Sequence, residues 1–404
     1  MSIIDKLQDP EVWESFFCHK IESGNMDKEE EKDLEAFIVA EKYIPIVERI
    51  RRRELYDIPV KLLISKQHSS KKRVVYCLSR EENYVMKLLT YLVIRKYDHL
   101  FAKNLYSFRA NQGVKRAMHF LRGCRDLDSK YVYKVDVHDY FNSVDTSLLM
   151  PMLEDALQDD RELFIFLRDI LEDDKVLLSD GTPVHESKGI MAGVPISSFL
   201  ANLYLSQMDW DFYNSGMMYA RYSDDIIVFC DSEQERDEVA RRINDYLAKM
   251  HLEVNPKKVA LANPHEKWEF LGISYHEGVF DISQVSETKL KKKMWRKSRA
   301  LLRWKDRKGF ANERAARAFI KAFNSKLYDN PSDSELTWTR WFFPIINTAK
   351  SLQEIDHYML ECIRYINSES RTKKRFALQY SDIKAMGYRS LVHEYYKVKT
   401  ASAK

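Results

Sequence analysis

Two apolar runs separated by three polar residues form the sharpest pattern in the chain. Met217 to Tyr222 and Ile226 to Cys230 flank Ser223-Asp224-Asp225, a tripeptide short enough to be a hairpin turn. Ile226 to Phe229 shows no polar alternation, which predicts a strand covered on both faces. Another strand is predicted from Tyr131, where Tyr131, Tyr133, Val135 and Val137 share one face and Val132, Lys134 and Asp136 the other. Val85, Leu88, Leu89, Leu92 and Val93 recur at helical spacing between Tyr84 and Leu100, and a further helix is expected around Val114 to Arg125. Leu148, Leu149, Leu153 and the run Leu163 to Leu171 read as helices, followed by a hairpin over Lys175 to Lys188 built around Asp180-Gly181-Thr182-Pro183. Ser197 or Ser198 is placed to cap another helix. Residues 1 to about 60 read as charged helices, and about 310 to 404 as helical and rich in aromatics.

Composition narrows the class. The 404 residues are 45% hydrophobic and 31% charged, as in a folded domain and not a disordered chain. A net charge of +4 is mild, so any affinity for nucleic acid must come from clustering. Arg49, Arg51, Arg52 and Arg53 form one cluster, either a solvated helix face or an RNA contact. Ser70-Lys71-Lys72-Arg73 enters a strand and suits either a triphosphate or an edge strand protected by lysine. Lys289 to Lys308 holds eleven Lys and Arg against one acid, Asp306; a helix there could lay Lys292, Arg296, Arg299 and Arg303 along a phosphate backbone while Trp295 and Trp304 pack inward. A last basic cluster, Arg371 to Arg375, is expected on a loop. Five scattered cysteines without C-x-x-C spacing suggest reduced thiols, with neither disulfides nor zinc. No basic and apolar leader and no apolar run of roughly 18–20 residues is visible, so a cytoplasmic protein without a membrane partner is expected.

Chemistry concentrates on acids. Asp224 and Asp225 at the tip of a buried hairpin repel one another and lose solvation, which makes sense if a cation sits between them; a solvated turn is the alternative. Asp136, an acid on an apolar strand, can join them in one sheet. Hard cations such as Mg²⁺ take oxygen ligands, and two ions roughly 3.5–4 Å apart clamp the oxygens of a phosphoryl displacement.

The order of several segments then resembles one family. Leu105-Tyr106-Ser107-Phe108-Arg109 is similar to the S-Y-G-F-R segment of group II intron and retron reverse transcriptases, and 131–145 to their motif A. Gly189-Ile190-Met191-Ala192-Gly193-Val194-Pro195 resembles motif B, Tyr222-Ser223-Asp224-Asp225 the Y-x-D-D of motif C, His251 to Lys258 motif D, and Phe270-Leu271-Gly272 the primer-grip motif E. The resemblance implies that Asp136, Asp224 and Asp225, with the carbonyl of Val137, hold two Mg²⁺ ions. It implies that the backbone of Asp139 and Tyr140 lies beneath the incoming triphosphate, that Lys72 and Arg73 bind that triphosphate, and that Phe141 lies against the sugar 2′ position, favouring dNTPs. Lys258, with Lys257 as a rival, falls at the general-acid lysine; Ala192 and Gly193 adjoin the nucleotide, and Arg109, Leu271 and Gly272 the nucleic acid. One departure is evident: the family's usual Pro-Gln before the second glycine of motif B is Met191-Ala192 here, which bears on how strictly a template is copied.

The expected fold is therefore α+β, a right-hand polymerase with fingers, an antiparallel palm sheet and a helical thumb. Boundaries are expected at 1–60 for a helical extension, 61–130 for the fingers, 131–285 for the palm (with a fingers segment at about 146–188), and 286–404 for the thumb and a C-terminal RNA-binding bundle. The expected function is RNA-directed DNA polymerisation with dNTPs on a dedicated non-coding RNA template, giving a DNA product in anti-phage defence, as in the stand-alone bacterial enzymes that this chain resembles. Untemplated or protein-primed DNA synthesis and a catalytically silent RNA-binding scaffold are the alternatives, and a homo-oligomer is left open.

Overall fold

The computed structural model describes residues 1–23, 26–54, 56–65, 72–328 and 338–402, so Ser70 and Lys71 of the basic turn lie outside the described residues. The chain divides into two compact units, 1–21 with 26–264 and 22–25 with 265–404. Among the described residues no helix is long and apolar enough to cross a membrane.

The first unit is organised by a four-stranded antiparallel sheet of β3 (Tyr131–Asp136), β6 (Met218–Tyr222), β7 (Asp225–Cys230) and β8 (Ala260–Ala262), in the order β6-β7-β3-β8. Ile226, Ile227 and Val228 are consecutive and wholly buried, so β7 is covered on both faces as its unbroken apolar run implied. The helix Glu233–Lys249 packs on β3 and β7 and supplies part of that cover. A second sheet, in the order β2-β1-β4-β5, contains β1 (Val60–Ser65), β2 (Lys72–Cys77), β4 (Lys175–Leu177) and β5 (Pro183–His185). Here the expected hairpin over 175–188 is formed by β4 and β5, paired antiparallel.

Two local expectations change. The β6–β7 turn has two residues and not three, because Tyr222 pairs with Asp225; Asp225 is thus the first residue of β7, and Ser223 takes the left-handed backbone (φ 60°) that so tight a turn requires. Neither Ser197 nor Ser198 caps the helix Ser197–Tyr204. The Ser197 hydroxyl instead donates to the Ile190 and Met191 carbonyls, and that of Ser198 to the Pro195 carbonyl (2.9 Å), tying the preceding loop to the helix. In the cluster after residue 48, Arg49 pairs with Glu82 (3.3 Å) and Asp57 (3.4 Å), Arg51 with Asp5 (2.6 Å), and Arg52 with Glu48 (3.4 Å). These guanidinium groups bind nearby acids of the chain itself.

Beneath the β6–β7 turn lies a buried ion pair. Arg221, with no exposed surface, donates from Nε and Nη2 to Asp209 (2.8 and 2.5 Å), from Nη1 to the Ser223 carbonyl (3.1 Å) and from Nη2 to the Asn202 carbonyl (3.3 Å). The Tyr219 hydroxyl donates to the same carboxylate at 2.8 Å. Burial favours neutral Arg221, but the facing Asp209 outweighs it and raises the pKa above the ordinary arginine value. One face of the turn is therefore fixed from below by a group that cannot lose its charge.

The second unit combines β9 (Trp268–Phe270), β10 (Ile273–His276) and β11 (Val279–Ile282), an antiparallel sheet, with the helices Gln284–Lys308, Asn312–Leu327, Lys350–Ser368 and Leu391–Ser402. Ser283 caps the long basic helix at its start, accepting from the Ser286 N–H at 3.2 Å, and Gly309 ends it in the left-handed conformation (φ 65°). Its two tryptophans pack against other rings, Trp295 on Tyr365 (5.1 Å) and Trp304 on Phe310 (4.9 Å). Lys291 pairs with Glu287 (2.6 Å) and Lys305 with Glu369, whereas Lys292, Arg296, Arg299 and Arg303 are exposed and their spacing aligns them on one stripe. The cluster at Arg371–Arg375 runs into a short 3₁₀ turn, Lys373–Ala377, and Arg375 pairs with Glu361 at 2.7 Å.

Because removing one partner of a buried ion pair strands the other charge, Asp209→Asn should destabilise the first unit by about 3–5 kcal/mol. Chemical denaturation of the variant beside the wild type measures this, and a loss under about 1 kcal/mol would mean that the pair is not holding the turn.

Candidate active site

Antiparallel register does the first part of the assembly. It sets Asp136, the last residue of β3, opposite Asp225, the first of β7, while Asp224 follows from the turn. One carboxylate oxygen from each of the three lies within 4.8 Å of the others. Like charges placed directly across a sheet are unfavourable, and Asp136 is only 2% exposed. Burial and the repulsion of Asp136 and Asp225 push the Asp224 pKa up to about 6. Three crowded oxygen donors of this kind fit a hard divalent cation, which would relieve the repulsion.

The polypeptide around the cluster is tightly fixed. The Val137 N–H donates to the Asp224 carbonyl (3.1 Å), joining the end of β3 to the turn. The Asn255 N–H donates to the Asp136 carbonyl at 2.7 Å and its side-chain amide to Asp136 Oδ1 at 3.3 Å. Asn255 also opens the 3₁₀ turn Pro256–Lys258, which carries Lys258 back so that Nζ donates to Asp136 Oδ2. Of the two lysines at this turn, Lys258 is the one bonded to the cluster. Burial lowers its pKa, but the bond to Asp136 and the charge of all three acids outweigh it and raise the value overall. Its ammonium occupies the place of a positive charge among the carboxylates.

Asp139 is exposed, in the left-handed region (φ 43°), and its carbonyl accepts the Asn142 and Ser143 N–H groups at 3.0 and 3.1 Å. Tyr140 is buried with its hydroxyl donating to the Ala201 carbonyl, so only its backbone is free for a ligand role. Phe141 is half-buried, its ring 5.8 Å from that of Tyr140, and its carbonyl accepts the Ile190 N–H at 3.0 Å. A Cβ at Gly189 would lie 2.4 Å from that carbonyl, so this close approach requires glycine. Ala192 is buried and its carbonyl accepts the Tyr76 N–H at 2.7 Å; Gly193 (φ 105°) passes so near that a Cβ would sit 3.0 Å from the Tyr76 carbonyl. The loop 189–194 is thereby joined to β2, on which Lys72 and Arg73 are exposed.

Arg109 is placed differently from the expectation of a nucleic-acid contact. Its side chain is only 6% exposed and its guanidinium is engaged within the chain, with Nε and Nη2 donating to Asp98 at 2.8 and 2.9 Å and Nη1 to the Ala102 carbonyl at 2.6 Å. A planar fork matched to one carboxylate makes it a structural clamp. Leu271 (φ 49°) and Gly272 (φ 85°) form the β9–β10 turn in the second unit, where a Cβ on Gly272 would meet Ser286 Oγ at 2.9 Å.

The description "Reverse transcriptase (RNA-dependent DNA polymerase)" matches residues 64–275, just over half of the chain, and that span includes all three acids. The chain belongs to the reverse transcriptase family. Its fold is accordingly that of a right-hand polymerase, α+β, with β6-β7-β3-β8 as the palm sheet, and the matched domain is a nucleotidyltransferase of the RNA-directed DNA polymerase type. Among solved structures the chain is similar to apo telomerase from Candida tropicalis truncated from its C-terminal domain, with 14% identity, a TM-score of 0.46, and coverage of 56% of this chain and 55% of that one. It is also similar to telomerase from Candida albicans in complex with a TWJ fragment of telomeric RNA, with 13% identity, a TM-score of 0.45, and coverage of 84% and 65%. The reverse transcriptase chain thus spans little more than half the length of the first of these. No curated protein matches it.

Four residues that support the site carry little signal of their own in the sequence. Asn255 reads only as a residue before proline, and Arg221 and Asp209 as ordinary charged positions of a strand and a helix. Ser107 stands where the family has glycine; its hydroxyl accepts the Ser223 N–H at 2.8 Å and donates to Asn202 Oδ1 at 3.2 Å, so it caps the β6–β7 turn from 116 residues away.

The raised Asp224 pKa fixes a sign. Because the folded carboxyl holds its proton to a higher pH than the unfolded one, this group removes stability as pH rises from about 4 to about 6. In the metal-free protein, the melting temperature of wild type relative to Asp224→Asn should therefore fall between about pH 4 and 6, and added Mg²⁺ should reverse the fall at the upper pH. Parallel melting curves with and without chelator check this; a difference that is flat in pH would exclude the crowding.

Proposed function

We propose that this reverse transcriptase is an RNA-directed DNA polymerase that extends a primer 3′ hydroxyl with dNTPs on a dedicated non-coding RNA, using two Mg²⁺ ions, with its DNA product serving anti-phage defence. The observation that carries the reading is the convergence of Asp136, Asp224 and Asp225 in a matched polymerase domain. Bound there, Mg²⁺ would neutralise the acids and polarise the phosphoryl oxygens.

Each further residue then has a task that its chemistry suits. Asp136, Asp224 and Asp225, with the Val137 carbonyl, hold the ions. Lys258, bonded to Asp136 and kept protonated by its acidic neighbours, is the group that would give its proton to the departing pyrophosphate. Lys72 and Arg73, exposed on β2, neutralise the triphosphate, which lies over the backbone of Asp139 and Tyr140 with Ala192 and Gly193 beside the nucleotide. The half-buried ring of Phe141 meets C2′ of the sugar and rejects a ribose hydroxyl. Residues 61–130 act as fingers, 131–285 as palm, where Leu271 and Gly272 contact the primer, and 286–404 as thumb and RNA-binding bundle, where the stripe of Lys292, Arg296, Arg299 and Arg303 tracks phosphates. The placement in phage defence is supported by the altered Met191-Ala192 of motif B, which sets this chain apart from intron and retron enzymes.

The same alteration favours a second reading. Ala192 is too short to reach a templating base and its carbonyl is held by Tyr76, so synthesis without a template, or primed from a protein hydroxyl, follows if nothing else aligns the base.

Incubating the protein with a primed RNA, dNTPs and Mg²⁺, then sequencing the product, separates these outcomes. Complementary DNA is expected, and Asp225→Ala should cut its yield by roughly a thousandfold. Product of biased composition, unrelated to the RNA, would establish the second reading. Absence of any incorporation by wild type, or full activity of the variant, would remove the polymerase.

A further inference from the structure

A ring can exclude a ribose hydroxyl only as well as it is prevented from moving aside. For Phe141, taken above as the residue against the sugar, the structure shows what restrains it. Its carbonyl is held by the Ile190 N–H with Gly189 pressed against it, and the Tyr140 ring stands at 5.8 Å on one side. Phe108 completes the enclosure. Its ring centroid is 6.2 Å from that of Phe141 at an interplanar angle of 89°, an edge-to-face contact, and 6.4 Å from Tyr222, the residue before the catalytic turn.

Phe108 has an unusual backbone for a bulky residue. Its φ of 53° lies in the left-handed region, which costs energy for any residue with a large side chain and persists only when the surroundings enforce it. Both neighbours do so. Ser107, wholly buried, is bonded to Ser223 N and to Asn202, whose amide returns a bond to the Ser107 carbonyl at 2.8 Å. Arg109 is clamped to Asp98 and to the Ala102 carbonyl. Between two anchored residues, Phe108 is turned outward and remains 38% exposed. In this conformation its ring stands edge-on to Phe141.

We propose that Phe108 is a specificity-positioning residue: it backs Phe141, and so sets how strongly the enzyme rejects ribonucleotides. This rests on the reading of Phe141 as the sugar-contact residue. Without Phe108, the Phe141 ring gains a vacated space and an alternative rotamer to swing into when a 2′ hydroxyl arrives.

The test measures kcat/KM for a dNTP and for the matching rNTP with wild type, Phe108→Ala, Phe141→Ala and the double variant. Phe141→Ala should relax the preference for dNTP strongly. Phe108→Ala should relax it by roughly tenfold, through better rNTP use. In the Phe141→Ala background, Phe108→Ala should change the ratio no further, because its effect passes through that ring. Should Phe108→Ala fail to fold, Phe108→Leu is expected to shift the ratio in the same direction by a smaller factor. If Phe141→Ala relaxes selection while a folded Phe108 variant lowers dNTP and rNTP use equally, the inference is overturned and the sugar contact stands. If Phe141→Ala itself leaves the ratio unchanged, the sugar contact is wrong and the inference goes with it.

Discussion

Electrostatic crowding of three carboxylates is the constraint from which the rest of this structure follows. A sheet does not gain by placing Asp136 opposite Asp225 with Asp224 alongside, since each adds repulsion and each loses water. Such an arrangement persists only because the surrounding fold imposes it and because a positive charge can enter. Lys258 supplies one positive charge from the chain. A divalent cation, with two charges and a preference for oxygen, is the better match.

The imposition is spread over distant parts of the sequence. Antiparallel pairing of β3 with β7 fixes the two strand-end acids, and the unbroken apolar run of β7 makes any slip in that register costly. Arg221 and Asp209 hold the turn from beneath, Ser107 caps it, and Asn255 fixes Asp136 from the side. None of these four needs to touch a substrate. They keep repelling groups at one point, as a preorganised site must.

Periodicity made the strands and the long helices legible, and the meeting of the three acids could be expected because two are adjacent at a predicted hairpin and one lies on an alternating strand. Trp295 and Trp304 of the long basic helix pack against Tyr365 and Phe310. What could not be read were pairings between distant residues. Arg109 resembles a phosphate contact until Asp98 is seen within 2.8 Å, and three of the arginines near residue 50 are matched by acids. Asp209 is polar on a helix and would pass for solvated, yet it is fully buried because Arg221 comes from another element to meet it. Ser197 looks like a cap from sequence, but the tight loop before it offers carbonyls that its hydroxyl satisfies instead.

Counting bound divalent ions tests the central claim most directly. Mn²⁺, whose unbound form is readily seen by electron paramagnetic resonance, can be titrated into wild type, Asp136→Asn and Asp224→Asn, each first shown to be folded. Wild type is expected to bind Mn²⁺, with competition by Mg²⁺, and each variant to lose that binding. Equal binding by all three proteins, or none by wild type even with primer, template and dNTP present, would contradict the account.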